Sequence, residues 1–227
     1  TGRISAQTNT ELQDYLNKVQ EYELEQDPFD IYDTPNKDWQ KQILHFSGGS
    51  DAAQQLQFSG FMDAMAATIE DSLFGGNVSS VYKATSDPLD PTVLGSVTER
   101  IEEGVSLMNY FGHASATNSG FELNLDDPEN WNNQGKYPLM VVNSCYNGNL
   151  FSTNISKSED FVQVPNAGAI GYIASVHLGF DTYLNTYAQE LYKQFSSKAY
   201  GLTIGEQMKR TTEYIESTFT QNLFLEA

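Results

Sequence analysis

Cys145 and His113 are the two side chains whose type and placement could do covalent chemistry. Cys145 is the sole cysteine among 227 residues. A thiolate is a strong nucleophile, and a nearby imidazole can favour it and hand a proton to a leaving amine. Each residue follows an apolar run. Val105-Ser106-Leu107-Met108-Asn109-Tyr110-Phe111 is closed by Gly112-His113, and Leu139-Met140-Val141-Val142-Asn143-Ser144 is closed by Cys145. The separation, 145 − 113 = 32 residues, leaves room for strand, loop and strand. The backbone N–H groups of Ala114 and Cys145 could then serve as an oxyanion hole. A bland reading stays open, because a lone cysteine is often a small buried hydrophobe and a strand-end histidine a solvated turn residue.

Other candidates surround this pair. Ser144, Ser175, Val176 and His177 are expected to line a substrate pocket on the same rim, although His177 also fits a plain loop residue. Asp51 could orient His113 or simply cap a helix. His45 lies inside an apolar run and reads as a satisfied core or edge histidine. Asp126-Asp127-x-Glu129 and Glu159-Asp160 are oxygen-rich, so a structural calcium ion is conceivable, but they lack EF-hand spacing and solvated loop carboxylates fit as well. No other cofactor is called for. Gly48-Gly49 is not a phosphate loop, since no Gly-Lys-Ser/Thr follows.

These residues need elements to hold them. Thr10-x-x-Gln13 reads as a capping box before a helix carrying Leu12, Tyr15, Leu16, Val19 and Tyr22, ending before Asp27-Pro28. Gln42 to Phe46 is the first strand. Leu56, Phe61, Met62, Met65, Ile69 and Leu73 trace a second helix. Val78–Ala84 is a strand, and Val93, Val97 and Ile101 mark a helix ending at Gly104. The two runs above are the third and fourth strands, separated by a long polar stretch from Ala114 to Tyr137. A polar loop with Asn147-Gly148-Asn149 precedes a fifth strand over Ala167–Ala174. Two helices follow, one with Tyr183, Tyr187, Leu191 and Phe195, the other opened by Thr203-x-x-Glu206. Near-continuous apolar strands alternating with helices give an α/β fold, three-layered α/β/α with a mostly parallel sheet. Ligands of such sheets bind beyond the carboxyl ends of the strands, where both His113 and Cys145 fall.

Composition narrows the classes. Acidic residues outnumber basic ones 30 to 12, a net charge of −18, so phosphate backbones are repelled and nucleic-acid binding is not expected. One cysteine excludes an internal disulfide framework and a cysteine-rich zinc site. No apolar run approaches the ~20 residues of a membrane span. The chain opens at Thr1-Gly2-Arg3-Ile4 and stops within Asn222-Leu223-Phe224-Leu225-Glu226-Ala227, which reads as a piece of a longer protein.

Several of these segments resemble the gingipain-like cysteine peptidases. Asn109-Tyr110-Phe111-Gly112-His113-Ala114-Ser115 is similar to their histidine motif, and Val142-Asn143-Ser144-Cys145-Tyr146-Asn147-Gly148 to their nucleophile motif. Gly2-Arg3-Ile4 with Leu12 to Glu23 resembles the segment joining their two subdomains, and Ala167 to Ser175 their strand beyond the nucleophile. The order His then Cys is that of the caspase-like clan. The resemblance implies a caspase-like fold and peptide-bond hydrolysis through a thioester, with His113 as catalytic histidine and Cys145 as nucleophile. It implies residues 1–40 as a linker and helix joining an upstream subdomain, and 41–227 as a catalytic subdomain truncated at its C-terminal end. It implies protein or peptide substrates, the remaining subdomains as partners, and secretion to the periplasm or outer-membrane surface of a Bacteroidetes-type bacterium. Ser144 to Asn149, with Trp131-Asn132-Asn133-x-Gly135-Lys136-Tyr137-Pro138, resembles the type IX secretion system sortase branch more than the gingipains; a peptidase-like binding or scaffold module is the rival. The family's histidine-steering Glu is replaced here by Ser47-Gly48-Gly49-Ser50, leaving Asp51 as the nearby acid. Its pocket acid falls near Gln54 to Gln57, where no acid stands.

Overall fold

The computed structural model describes residues 2–26, 34–83, 91–114, 127–151 and 156–219. Its centre is a five-stranded, all-parallel sheet in the order β2-β1-β3-β4-β5. The strands are β1 (Gln42–Ser47), β2 (Asn77–Tyr82), β3 (Leu107–Phe111), β4 (Leu139–Asn143) and β5 (Gly171–Ala174). Two faces of apolar side chains explain why these runs are continuous. On one face Ile43, Leu107, Phe111 and Val141 pack against Phe58, Met62, Met65 and Ile69 of α3 (Ala52–Glu70) and Leu184, Ala188 and Leu191 of α6 (Asp181–Lys193). On the other, Leu44, Phe46, Met108, Tyr110, Met140 and Val142 meet Val97 and Ile101 of α4 (Pro91–Glu103) and Phe161 of α5 (Lys157–Gln163). The expected three-layer α/β/α architecture is therefore present. A short helix α2 (Thr34–Lys37) and a 3₁₀ turn (Asp38–Lys41) lead into β1, and α7 (Ile204–Thr218) packs on α6.

Helix α1 (Asn9–Gln26) lies outside this sandwich, against α5. Its Lys18 is buried, and Nζ donates to the carbonyls of Val162 (3.0 Å) and Ala169 (3.4 Å). Tyr15 donates to the Ile170 carbonyl, and Glu21 accepts from Tyr137. The helix is thus pinned by polar contacts, and Leu12 and Leu16 stay exposed.

Four local expectations need correction. The capping box of α1 is Thr8-x-x-Glu11: Thr8 Oγ1 accepts from Glu11 N–H and Glu11 Oε2 accepts from Thr8 N–H, both at 3.2 Å. An earlier Thr with a carboxylate three residues on beat Thr10-x-x-Gln13. The buried stripe of α3 includes Phe58 in place of Leu56, which is exposed, and Leu73 lies beyond the helix and is also exposed. Residues 157–163, read as loop, form α5, opened by a capping box of Ser156 and Glu159. The fifth strand begins at Gly171, because Gly168 sits at φ +78 and turns the chain; a Cβ there would lie 2.3 Å from the Phe161 carbonyl oxygen. The expected β2 position Ala84, most of the polar stretch after Ala114, and Asp126 lie outside the described residues.

Candidate active site

The strand order places a topological switch between β1 and β3: the chain leaves β1 towards β2, returns, and continues to the other side. The crevice beyond the carboxyl ends of strands at such a point is where open α/β sheets bind ligands. Three of the segments there carry the candidate chemistry. The β1 exit leads to Ser50, Asp51 and Gln54, the β3 exit to His113, and the β4 exit to Cys145.

Phe111 and Asn143 are register partners in the β3–β4 ladder, and Gly112 N–H continues it by donating to the Asn143 carbonyl at 3.2 Å. His113 and Cys145 each stand two residues beyond that pair, so the adjacent strands deliver imidazole and thiol at the same level of one rim. His113 is exposed and Cys145 half-buried.

His113 is held at its backbone and at its ring. Tyr110 Oη donates to the His113 carbonyl at 3.0 Å, and the ring packs edge-on to Phe58, 6.1 Å between centroids. Its Nε2 lies 2.9 Å from Oε1 of Gln54. That amide atom also accepts from Ser50 N–H (3.0 Å) and Ser50 Oγ (2.7 Å). A backbone N–H can only donate, so the atom is oxygen and Nε2 of His113 must supply the hydrogen. The lone pair of the neutral ring is then on Nδ1, free to exchange a proton with a reacting group.

Asp51, the acid expected to orient His113, is used differently. Its Oδ1 accepts from Gln54 N–H at 3.0 Å and caps α3, so the cap alternative is the one realised. The partner of the imidazole is Gln54, one turn into that helix. Gln57 Nε2 in turn meets the carboxylate of Asp181, at the start of α6, at 3.3 Å.

The thiol sits on a sharp turn. Tyr146 follows it at φ +55, unusual for a non-glycine residue. The turn is strapped to the segment after β5 by backbone hydrogen bonds: Tyr146 N–H to His177 O (2.8 Å) and Gly148 N–H to Ser175 O (2.9 Å). Gly179 meets Cys145 with both backbone groups: its N–H points at Sγ at 3.4 Å, and its carbonyl accepts from the thiol at 3.6 Å. Among the described residues, neither Ala114 N–H nor Cys145 N–H has a hydrogen-bond acceptor.

The expected pocket residues divide. Ser144 and Ser175 are buried; Ser175 Oγ donates to His177 O at 2.8 Å within its own turn, and Ser144 Oγ has no partner among the described residues. Val176 and His177 are exposed on the rim, with the His177 ring against Tyr146 at 5.3 Å. Leu178 and Phe180 are exposed beside them. Glu159 is engaged in the α5 cap and Asp160 pairs with Lys157 at 3.4 Å; among the described residues no group of three or more His, Cys, Asp or Glu side chains gathers as a metal site. No described helix is long and apolar enough to cross a membrane.

Sequence reasoning missed a buried polar seam behind this rim. Asn143 Nδ2 donates to Asn109 Oδ1 (2.8 Å), Asn109 Nδ2 donates to Tyr192 Oη (2.8 Å), and Tyr192 Oη lies 2.7 Å from His45 Nε2. His45 is thus a core histidine, as expected, but only half satisfied: Nε2 meets Tyr192, whereas the buried Nδ1 has no hydrogen-bond partner among the described residues, and burial lowers the pKa to about 3. The available signal was an asparagine in each of two otherwise apolar strands, which a fully buried strand tolerates only when its amide is paired.

Comparison with known proteins agrees with this geometry. The profile of peptidase family C25 matches residues 1–225. Among solved structures, the chain is similar to the Arg-specific cysteine proteinase gingipain R (RgpB), with TM-score 0.64 and 18% identity over 85% of this chain and 43% of that one. It is also similar to the complex of Porphyromonas gingivalis RgpB pro- and mature domains, with TM-score 0.70 and 16% identity over 95% of this chain and 50% of that one. A third structure, described as a protease, gives TM-score 0.66 and 19% identity over 85% of this chain and 44% of that one. The chain therefore spans half or less of the length of these structures. No curated protein matches it. With the family profile running over almost its whole length, on a gingipain-like α/β fold, this chain belongs to peptidase family C25.

Proposed function

We propose that the chain carries the reacting residues of a cysteine peptidase, with Cys145 as nucleophile and His113 as general acid and base. The observation that carries this reading is their matched placement, each two residues beyond the Phe111–Asn143 register pair. The Cys145 sulfur attacks the peptide carbonyl carbon, the C–N bond breaks, and His113 delivers a proton to the leaving amine. The unengaged N–H groups of Ala114 and Cys145 suit the oxyanion of the tetrahedral intermediate. Water then attacks the thioester, His113 takes its proton, and the thiol is released with a new carboxyl group. An amine in place of water would form a new amide, the sortase-type outcome, with the same residues. Protein or peptide substrates, secretion to a bacterial envelope or surface, and docking to further subdomains at residues 1–40 belong to the same proposal.

A second reading, a peptidase-like binding module, is favoured by one observation: the partner of His113 is the uncharged amide of Gln54. Iodoacetamide labelling of Cys145 across about pH 5 to 9 separates the two, because alkylation follows the thiolate. A peptidase labels fast in a His113-dependent manner and cleaves fluorescent casein, and Cys145→Ala abolishes cleavage. Cleavage that survives Cys145→Ala ends the peptidase reading. Slow, His113-independent labelling with no cleavage establishes the binding module.

A further inference from the structure

We infer that Asn143 is a positioning residue for Cys145, fixing the nucleophile turn against the histidine strand with Asn109, Tyr192 and His45 as its buried backing; the inference rests on the reading of Cys145 and His113 above. Asn143 ends β4 two residues before the thiol and is bonded to β3 three ways. Its Nδ2 donates to Asn109 Oδ1 at 2.8 Å and to Tyr110 O at 3.2 Å, and its carbonyl accepts from Gly112 N–H at 3.2 Å. The last of these falls on the residue before His113. The carbonyl of Tyr110 can only accept, which fixes the Asn143 amide, and with it the Asn109 amide, in one orientation.

The seam crosses three strands, β4, β3 and β1, and is closed from above by Tyr192 of α6. His45 and Asn109 are themselves register partners. Asn143, Asn109, Tyr192 and His45 are at most 4% exposed. Apolar packing would hold the strands together just as well, but it slides; directional hydrogen bonds between buried partners admit one register. Among the described residues, the thiol and the imidazole stand two residues beyond the Phe111–Asn143 register pair.

The test uses three variants of the chain. Asn143→Asp keeps the shape and removes the donor, and Tyr192→Phe deletes one hydroxyl. Met62→Ala, a core truncation on the same face of the sheet, controls for lost stability. Each is checked for folding by thermal denaturation, then assayed for casein cleavage and for the iodoacetamide rate at Cys145. Asn143→Asp is expected to lower kcat about 10- to 100-fold with KM nearly unchanged, and to slow alkylation in parallel. Tyr192→Phe is expected to lower kcat about three- to tenfold, and Met62→Ala to leave it within about twofold. Folded Asn143→Asp and Tyr192→Phe proteins with the kcat and alkylation rate of Met62→Ala would overturn the inference while leaving the peptidase intact. If Asn143→Asp does not fold, Tyr192→Phe decides. Wild-type labelling that ignores His113 would instead sink the peptidase reading itself.

Discussion

Gln54 Oε1 and His113 Nε2 lie 2.9 Å apart, and the same oxygen takes both donors of Ser50. An uncharged amide thus holds the ring and fixes its tautomer. Removing the oxygen frees the ring to turn without touching the thiol. Gln54→Leu is therefore expected to lower kcat about tenfold or more, with a smaller change in KM. Gln54→Glu, which keeps an acceptor at the same reach, should retain most activity. Steady-state kinetics on casein check both, and a Gln54→Leu protein as active as wild type would remove Gln54 from the site.

Gly148 lets the nucleophile turn lie flat on the segment after β5. A Cβ there would stand 2.7 Å from the Ala174 carbonyl oxygen and 3.2 Å from that of Ser175, both backbone atoms that cannot step aside. Gly148→Ala is expected to cost about 1–3 kcal/mol in urea denaturation. It should also slow Cys145 alkylation, since the turn that carries the thiol must lift.

His45 makes stability fall in acid. Burial lowers its pKa from 6.5 to about 3. Below the unfolded value, the unfolded chain takes up a proton that the folded protein refuses. Stability held above pH 6.5 is therefore lost as pH falls towards 3. From pH 7 to 4 this one group accounts for about 3 kcal/mol. His45→Gln should be less stable at neutral pH but flatter across the range, as read by urea midpoints. A slope equal to wild type would contradict the assignment.

Lys18 acts in the alkaline direction. Burial outweighs the nearby Glu21 carboxylate and lowers its pKa from 10.5 to about 7. Below about 7 both states hold the proton, and the cost of burying the charge is fully present. Above it the folded state releases the proton first, so stability rises with pH, by about 2 kcal/mol at pH 9. Lys18→Met should lack that rise. Matched denaturation curves at pH 7 and 9 provide the measurement.

The sequence by itself determined the layers and the chemistry-bearing ends. Continuous apolar runs mark strands buried on both faces, and helical stripes between them mark the covering layers; both are periodicities within one element and need no knowledge of neighbours. They placed His113 and Cys145 at carboxyl ends of strands before any contact was known. What they could not supply is the identity of partners far along the chain. Gln54 reaches His113 across 59 residues, Asn109 reaches Tyr192 across 83, and His45 reaches Tyr192 across 147. The neighbouring acid, Asp51, was the natural choice by proximity, but helix geometry spends it on the α3 cap and turns the residue three positions later to the imidazole. Only the tertiary structure decided that β3 lies between β1 and β4. That order brings imidazole, amide and thiol to one rim, because register pairing is set by which strands become neighbours and not by their sequence separation.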